Sequence, residues 1–418
     1  MRLQLRAKLG WSIGSALAAA LLGAGAPASA QVADVAPRAT VFIEPSKTSK
    51  LTVINPSVDL QVKPTEWLDV HAGYQADIVS GATESLKGGR LSPVDIVSSA
   101  TKFKDTRHLV SGGFGISRDN TKLSATYAYG TESDYRSNSF SVQSGTSFLQ
   151  KNTELTLAYG RGFDRVCTTG FVTSDSASVR TPLDSSKGCF TKADNRASRK
   201  VSLDNFQAGW TQTWTPLFAT QLVLYGALQH GFLENPYRGV VIAPAGDQAL
   251  ENHPDNRLRV AAALRGRYYL RPIKLAISAG ARLYRDTWDI LGQTYELEAE
   301  RYVMPDVRVL VRGRYYTQSG ALFWSDDYTG GEPKDGPRGQ YWTGDRELSP
   351  LSSYLLGGRM LFKKNAEPGR RIAFVMLSFE TSFSLDIMKT HLREFTWGGT
   401  SPDDTLAGII SLGVRGTF

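Results

Sequence analysis

The chain ends in a stretch in which apolar and polar side chains alternate, Ile410-Ser411-Leu412-Gly413-Val414-Arg415-Gly416-Thr417-Phe418. Successive side chains of a β-strand point to opposite faces, so this alternation predicts a strand with one apolar face and one polar face. An amphipathic helix would instead repeat its apolar residues every three or four positions. The period of two continues through most of the chain and predicts an all-β fold.

Longer segments further up the chain show the same alternation. Clear examples are residues 256–270, 273–288, 307–318 and 371–386, whose second face carries charged residues. These segments are roughly a dozen residues or longer, enough to cross a bilayer at a tilt, and predict a transmembrane antiparallel β-barrel rather than a soluble sandwich. Aromatic residues near the strand ends predict girdles at the membrane interfaces: Trp67, Tyr74, Trp210, Trp214, Tyr268, Trp288, Tyr302, Tyr315 and Trp324.

Short and long connections alternate between the predicted strands. The long ones lie at residues 78–105, 164–200, 234–255, 325–350 and 388–406. In bacterial barrels the short turns face the periplasm and the long loops face outward. Counting back from Phe418 requires a first strand at residues 39–45 and gives sixteen strands, an even number as such barrels require, with fourteen as the alternative.

The start of the chain has the features of a cleaved export signal over residues 1–30. A basic start precedes an apolar run, and small residues predict cleavage between Ala30 and Gln31. Residues 31–38 then form a short periplasmic lead, and residues 39–418 form the barrel. A last strand that ends on phenylalanine resembles the assembly signal of outer-membrane barrels. We therefore expect a bacterial outer-membrane protein whose partners are membrane lipid and the barrel-assembly machinery.

The charge and the cysteine content bear on which partners and bonds the protein is expected to have. The 48 basic and 40 acidic residues give a formal net charge of +8 that is spread along the chain, which argues against a nucleic-acid partner. The two cysteines, Cys167 and Cys189, share a polar segment of an exported chain, so we expect a structural disulfide. A metal site would need further ligands nearby, and none is evident.

Arginines and glutamates share the inward face of the predicted strands. The sequence Arg265-Gly-Arg-Tyr-Tyr269 recurs as Arg312-Gly-Arg-Tyr-Tyr316, and the intervening strand carries Glu296, Glu298 and Glu300. Ion pairing within the lumen is one interpretation of this pattern. A charged surface for permeation or docking is the other.

A seven-residue motif follows an early predicted strand: Asp77-Ile78-Val79-Ser80-Gly81-Ala82-Thr83. It resembles the acceptor sequence of bacterial flavin transferases of the ApbE type. The resemblance implies covalent FMN on Thr83, with Asp77, Ser80, Gly81 and Ala82 as recognition residues. A second copy at residues 95–101 has Ser99 in place of glycine, which makes Thr101 the weaker acceptor. A strand end followed by a turn is the alternative interpretation for both copies.

Motifs elsewhere in the chain resemble one family. They include Asp105-Thr106-Arg107-His108, Asn235-Pro236-Tyr237-Arg238, Arg285-Asp286-Thr287-Trp288 and residues 325–341. Together with the Asp77 motif they resemble the bacterial family called domain of unknown function 3570, of outer-membrane barrels. The likeness covers most of the chain and implies the fold and the location, but no established activity.

Three functions are consistent with these features. The first is a barrel that carries covalent FMN for electron transfer at the cell envelope, with a periplasmic flavin transferase and redox partners. In that case the cofactor supplies the redox chemistry and the protein is not a classical enzyme. The second is a porin-like channel or transporter with a charged lumen. The third is a structural or adhesive barrel that acts through its long surface loops.

Overall fold

The computed structural model of the chain describes residues 32–45, 50–80, 104–168, 189–190, 197–237, 239–241, 248–326, 328, 341–367, 370–373, 375–394 and 404–418. Within these ranges sixteen strands form one closed antiparallel barrel, which confirms the predicted fold class. No helix among the described residues is long and apolar enough to cross a membrane.

Each barrel strand pairs with its neighbours along the chain, and two short strands form a separate ribbon in one of the long connections. The strands are β1 Val32–Pro45, β2 Lys50–Lys63, β3 Leu68–Ser80, β4 Lys104–Arg118, β5 Thr121–Thr131, β6 Tyr135–Phe148, β7 Thr153–Cys167, β8 Ser198–Thr215, β9 Phe218–Gly231, β10 Gly239–Val241, β11 Gln248–Leu250, β12 Asn256–Leu270, β13 Leu275–Asp286, β14 Leu291–Met304, β15 Val307–Gln318, β16 Leu351–Asn365, β17 Ser378–Leu392 and β18 Thr405–Thr417. The ribbon consists of β10 and β11.

Alternation along each strand decides which side chains face outward. On β18, Ile410 and Leu412 lie on the outer surface, and Leu412 is 56 % exposed there. Ser411, which lies between them, lines the interior. The same parity holds on β12, where Leu264 is exposed outside and Arg265 lines the interior. An apolar outer surface of this kind suits contact with lipid rather than water.

The barrel closes where β1 pairs with β18. The register runs from Asp34 opposite Thr417 to Ile43 opposite Gly408. Pairing skips Ala36 and Pro37, because proline has no backbone N–H to donate to the ladder. Closure satisfies the backbone groups that an open sheet would leave unpaired in the membrane.

Two strand boundaries differ from the pattern in the sequence. The first strand begins at Val32 rather than at residue 39, so most of the expected lead of residues 31–38 belongs to the barrel wall. β18 extends to Thr417 and needs a partner along this length, which the early residues of β1 provide. β17 begins at Ser378 rather than at residue 371, because the chain before it folds into a tight turn in which Ile372 bridges to Met376.

Connections at the two ends of the barrel differ in length, as predicted. One end has tight links such as residues 119–120 and 305–306, whereas the other has the long loops. The predicted disulfide is present at the long-loop end, where Cys167 ends β7 and its Cα lies 5.7 Å from that of Cys189. This bond ties the connection between β7 and β8 to the barrel rim.

Exposed aromatic side chains surround the short-turn end on the outer surface. They are Trp67, Phe148, Trp214, Phe218, Tyr268 and Phe418. This ring agrees with the predicted girdle at one interface. Tyr302, also predicted for a girdle, instead shares the inward parity of Glu300 and lies beneath the Arg308 guanidinium. Trp288 and Trp324, predicted for the girdles, are instead only 4 % and 9 % exposed. They pack beneath loops at the opposite end, where two long connections form a buried apolar cluster.

The two faces of β18 should respond differently to charge. Leu412→Lys places an ammonium group on the lipid-facing surface near the middle of the strand, which we expect to lower the free energy of unfolding in vesicles by about 2–4 kcal/mol. Ser411→Lys places the same group in the aqueous interior and should cost much less. Urea titration of both variants in the same lipid measures the difference. Equal destabilisation by the two substitutions would contradict the assignment of the faces.

Candidate functional site

Two long loops, residues 232–255 and 319–350, fold against each other at one end of the barrel, and we call their described parts the cap. The backbones of Trp342 and Asn252 exchange hydrogen bonds of 2.9 and 3.0 Å. The indole Nε1 of Trp342 also donates to the carbonyl of Leu250 at 3.1 Å. These contacts join residues that are far apart in the sequence, so the two loops form one folded unit.

Apolar side chains attach the cap to the barrel rim. Trp288, in the turn between β13 and β14, packs edge-on against Phe323 of the cap, with 5.2 Å between ring centroids. Trp324 and Leu348 of the cap and Leu392 of β17 belong to the same buried cluster. Burial of apolar side chains of this size contributes on the order of 1.5–3 kcal/mol each. The cluster therefore holds the cap in a defined position.

Two polar contacts link the cap to strands on other sides of the barrel mouth. Arg346 places its Nη1 3.0 Å from Oε1 of Glu44 at the end of β1. Tyr237 donates its hydroxyl hydrogen to the carboxylate of Asp134, in the link between β5 and β6. Because β1 and β5 are several strands away from the strands that carry the cap, the cap spans the opening rather than standing beside it.

A glutamate and a histidine are buried together in the cap. Glu251 Oε1 accepts a 2.9 Å hydrogen bond from the Thr343 hydroxyl and a longer bond, 3.3 Å, from Gly344 N. His253 Nε2 lies 3.4 Å from Glu251 Oε2, and neither of these two atoms has a hydrogen bond of good geometry. Burial acts to lower the pKa of His253, but the Glu251 carboxylate, with weaker help from Glu234, outweighs it and raises that pKa. When His253 is protonated, the cap is thus held internally by an ion pair.

Beneath the cap lies a vestibule of about 560 Å³ that reaches the walls of β4, β6 to β9 and β12. Arg257 of β12 forms the best-defined contact in it, since its Nε donates to Asp286 Oδ2 at 2.8 Å. The other oxygen of Asp286 accepts the backbone N–H groups of Trp288 and Ile290, both at 3.0 Å. The Arg257 guanidinium also lies 4.0 Å from the centre of the Trp288 ring. This network explains the roles of Asp286 and Trp288 within the motif of residues 285–288.

Deeper in the barrel, a polar cavity of about 670 Å³ occupies the lumen. Most arginines on its wall are paired with carboxylates. Arg267 bonds Glu300 at 2.6 Å, and Arg265 bonds Glu298. The ion-pairing interpretation of the arginines and glutamates is therefore confirmed for these two pairs.

A third ion pair crosses an intervening strand. Arg312 of β15 donates to both oxygens of Asp386 of β17, at 2.8 and 2.7 Å, over Gly357 of β16. A Cβ atom at position 357 would overlap the Asp386 carboxylate, so glycine is required there for close approach.

Two arginines of the lumen have no carboxylate partner among the described residues. Arg38 of β1 and Arg359 of β16 are exposed to the cavity, and neither forms an ion pair with a described residue. The wall between them carries hydroxyl groups. Across neighbouring strands, Arg359 of β16 is paired with Ser384 of β17, which is paired with Ser411 of β18, which is paired with Thr40 of β1. We call these two arginines and the hydroxyl groups between them the lumenal anion row.

The flavin motif lies only partly within the described residues. Asp77 and Ser80 belong to β3, in the barrel wall, whereas Gly81, Ala82, Thr83 and Thr101 fall outside the described residues. Asp77 accepts a hydrogen bond from the side-chain amide of Asn55, which also donates to the Ala76 carbonyl at 3.3 Å. These side-chain hydrogen bonds link β2 to β3 at the point where Pro56 interrupts the backbone hydrogen bonds between the two strands.

Some residues of the candidate site cannot be found from the sequence. Arg38 falls in the predicted lead segment and Arg359 carries no local signal, and only strand register shows that they flank hydroxyl groups. Glu251 and His253 are two residues apart in the sequence, but this spacing alone does not predict a buried pair. Only the fold of the cap brings the two side chains together. Among the described residues no group of three metal-ligating side chains occurs.

The fold and the lumen define a class of protein. A closed sixteen-stranded barrel with an apolar outer surface and a charged, water-accessible interior is a porin-like membrane barrel. Within this class the chain belongs to the family described as protein of unknown function DUF3570, whose model matches residues 27–360. No curated protein matches the sequence significantly.

Solved structures with similar folds are barrels that have low sequence identity to this chain. A bacterial polysaccharide outer membrane secretin is 9 % identical with a TM-score of 0.46, over 91 % of this chain and 97 % of that one. OccK2 (OpdF) of Pseudomonas aeruginosa is 8 % identical with a TM-score of 0.41, over 93 % and 98 %. The siderophore receptor PirA of Acinetobacter baumannii is 10 % identical with a TM-score of 0.44, over 88 % and 54 %.

The stability of the cap should depend on pH through His253. A raised pKa means that the stabilising contribution of the Glu251–His253 pair is complete below the ordinary value of 6.5 and is lost as the pH rises through the raised pKa. We expect the urea midpoint of the cap, followed by tryptophan fluorescence, to fall as the pH rises from 6.5 through the raised pKa of His253.

His253→Gln should remove this pH dependence. His391→Gln is the matched control, because His391 contacts Asp404 outside the cap, with 2.6 Å between Nδ1 and Oδ1. A pH dependence that survives in His253→Gln would show that another group is responsible.

Proposed function

We propose that the protein is a passive channel in the bacterial outer membrane that favours small anions. The observation that carries this proposal is the lumenal anion row, in which Arg38 and Arg359 face the cavity without carboxylate partners among the described residues. The apolar outer surface and the aromatic ring at the short-turn end support the membrane location.

The charge balance of the cavity supports a preference for anions. Its described lining includes five arginines and two glutamates, and Asp386 neutralises a third arginine, Arg312. The remaining excess is positive and lies inside low-dielectric walls, which focus the field on the permeating ion. An anion at this level therefore meets a favourable potential, and a cation meets a barrier.

Hydroxyl groups make the row suitable for oxygen-bearing anions. Thr40 Oγ1 lies 2.9 Å from Ser411 Oγ, and Ser382 and Ser384 line the same side of the cavity. Guanidinium groups donate in a planar fork that matches carboxylate and phosphate oxygens. Hydroxyl donors between two such groups can replace part of the water that the anion loses. Small organic carboxylates and phosphates are the solute class that fits this wall.

Bilayer recordings test the proposal. In a potassium chloride gradient, the reversal potential of the purified barrel should show a higher permeability for chloride than for potassium. Arg38→Gln combined with Arg359→Gln should move the reversal potential towards zero, because the unpaired positive charges are removed from the lumen. Arg285→Gln combined with Lys389→Gln removes two cations that lie outside the lumen and should leave the reversal potential unchanged.

Two results would overturn the channel proposal. One is a barrel of native migration that conducts no current under any gradient. The other is a cation preference that the Arg38 and Arg359 substitutions leave unaltered. Heat-modifiable migration on denaturing gels checks that each variant folds.

Covalent FMN on Thr83 is a second proposal, which rests on the acceptor-like motif. β3 ends at Ser80 at the long-loop end, so the acceptor hydroxyl would follow closely after the barrel wall. Its attachment requires a flavin pyrophosphate as the donor. The Thr83 oxygen would form a bond to the phosphorus of FMN while the pyrophosphate P–O bond breaks, so that the distal phosphate leaves with its substituent and the hydroxyl proton passes to a base of the transferase. Bound FMN would supply one- or two-electron transfer, and Asp77 and Ser80 would act in recognition before the barrel folds.

Mass spectrometry tests the flavin proposal. The mature chain, co-produced with an ApbE-type flavin transferase, should gain the mass of one FMN on the peptide that contains Thr83. Thr83→Ala should lose that mass, and Thr101→Ala should keep it. A peptide without added mass in the wild-type chain would refute flavin attachment and leave the channel proposal untouched.

A further inference from the structure

Three basic residues lie side by side on neighbouring strands at the long-loop end of the barrel. Arg136 of β6 is opposite Arg165 of β7. Arg165 is in turn opposite Lys200 of β8. With neighbouring strands about 4.8 Å apart, the three side chains start within roughly 10 Å of one another. We call these three residues the basic row.

The basic row faces outward, towards the membrane. On β6, Arg136 has the same parity as Phe140, which is 41 % exposed on the outer surface. On β7, Arg165 has the parity of Phe163, and on β8, Lys200 has the parity of Phe206. All three basic side chains are exposed. Below them on the outside of the same strands lies the Arg161–Asp204 ion pair, with 3.5 Å between Nη1 and Oδ1. An apolar surface that includes Leu157 and Phe206 continues beyond it.

No carboxylate neutralises the basic row among the residues that the structure describes. Within that part of the chain, Arg165 and Lys200 form no ion pair, and the only polar contact of Arg136 is a 3.3 Å hydrogen bond to the Phe190 carbonyl. An outward cation elsewhere on the barrel does have a partner, since Lys389 lies 2.6 Å from an Asp404 oxygen. Asp204, which lies on the same outer face further along β8, pairs with Arg161 instead, at 3.5 Å. Within the described residues the three cations of the basic row are therefore left without an acidic partner.

Local structure holds the row in place. The guanidinium of Arg136 stacks on the Phe190 ring at 4.6 Å from its centre. Phe190 follows Cys189, and the Cys167–Cys189 disulfide fixes that residue beside the end of β7. The backbone N–H of Phe190 also donates to the Ser133 carbonyl at 3.2 Å. Arg136 is therefore oriented before any ligand binds.

Like charges directly opposite each other on adjacent strands repel, so three of them in register call for a shared counter-anion. We propose that the basic row binds the headgroup phosphates of an anionic lipid in the membrane leaflet at the long-loop end. Arginine and lysine at this depth meet phosphate groups rather than acyl chains, and arginine matches phosphate oxygens with two parallel donors. Acyl chains of the same lipid would lie on the apolar surface below.

The aromatic surface below the row favours a lipid over a free anion. Phe206 packs against Tyr159, with 5.1 Å between ring centroids. Val142 and Leu157 line the same shallow outer groove. A soluble phosphate would use only the charges, whereas a lipid uses both the charges and the groove. The proposal is independent of what passes through the lumen.

Lipid titration followed by native mass spectrometry tests the basic row. The folded mature chain in phosphatidylcholine nanodiscs is titrated with a bisphosphorylated disaccharide lipid, and the apparent Kd is measured. The variant Arg136→Gln, Arg165→Gln and Lys200→Gln should bind this lipid roughly a hundredfold more weakly, because each cation near the surface contributes about one factor of five. Raising the salt concentration should weaken binding to the wild-type barrel and have little effect on the variant.

A matched control removes three other exposed cations, Arg118→Gln, Arg285→Gln and Lys389→Gln. This variant loses the same total charge and should keep the wild-type Kd. Equal weakening in both triple variants would overturn the proposal, since it would show a response to net charge alone.

Two further measurements distinguish a site for an anionic lipid from a site for free phosphate or for any phospholipid. Inorganic phosphate should compete only at concentrations far above the lipid Kd, and competition at equal concentration would overturn the assignment to a lipid. Phosphatidylcholine should bind no more tightly to the wild-type barrel than to the basic-row variant. Heat-modifiable migration confirms that both variants are folded barrels before their Kd values are compared.

Discussion

Backbone hydrogen bonding inside a membrane is the constraint on which the rest of this structure depends. An unpaired N–H or C=O group in hydrocarbon costs several kcal/mol, so a membrane-spanning sheet must close on itself. Here closure requires β1 to accompany β18 along most of its length, from Asp34 opposite Thr417 to Ile43 opposite Gly408. Arg38 is a wall residue for this reason, and the lumenal anion row exists because the first strand begins at Val32.

Closure also reverses the usual arrangement of a soluble protein. The large apolar side chains lie outside, and the interior is left to arginine, glutamate, serine and threonine. Ion pairs such as Arg267–Glu300 neutralise most of this charge without drying the lumen. The two buried clusters among the described residues are made by the cap and its contacts at the rim rather than by the middle of the barrel. The polar lumen and the apolar packing are therefore separated along the barrel axis.

The strands were predictable because each one carries its own signal. Alternation with a period of two identifies the two faces of a strand, and the alternation of short and long connections indicates the direction of each strand. The number of strands and the two ends of the barrel therefore follow from the sequence. The disulfide followed from two cysteines in one exported segment. The errors arose where a local pattern has two causes. Trp288 has the position of a girdle residue, but it packs against Phe323 under the cap. Residues 371–377 alternate like a strand, but the chain turns there, and Ile372 bridges to Met376.

The sequence by itself determined the class of the protein, since the periodicity of side chains along each strand is a local property. It also identified most of the charges that line the lumen. Only the tertiary structure decided which charges are neutralised, because ion pairing depends on register between strands and on close approach over Gly357. The lumenal anion row, the Glu251–His253 pair and the basic row at Arg165 all arise in this way. In each of them, the environment of a residue is set by neighbours on other strands or by the fold of a loop. No single stretch of sequence contains that information.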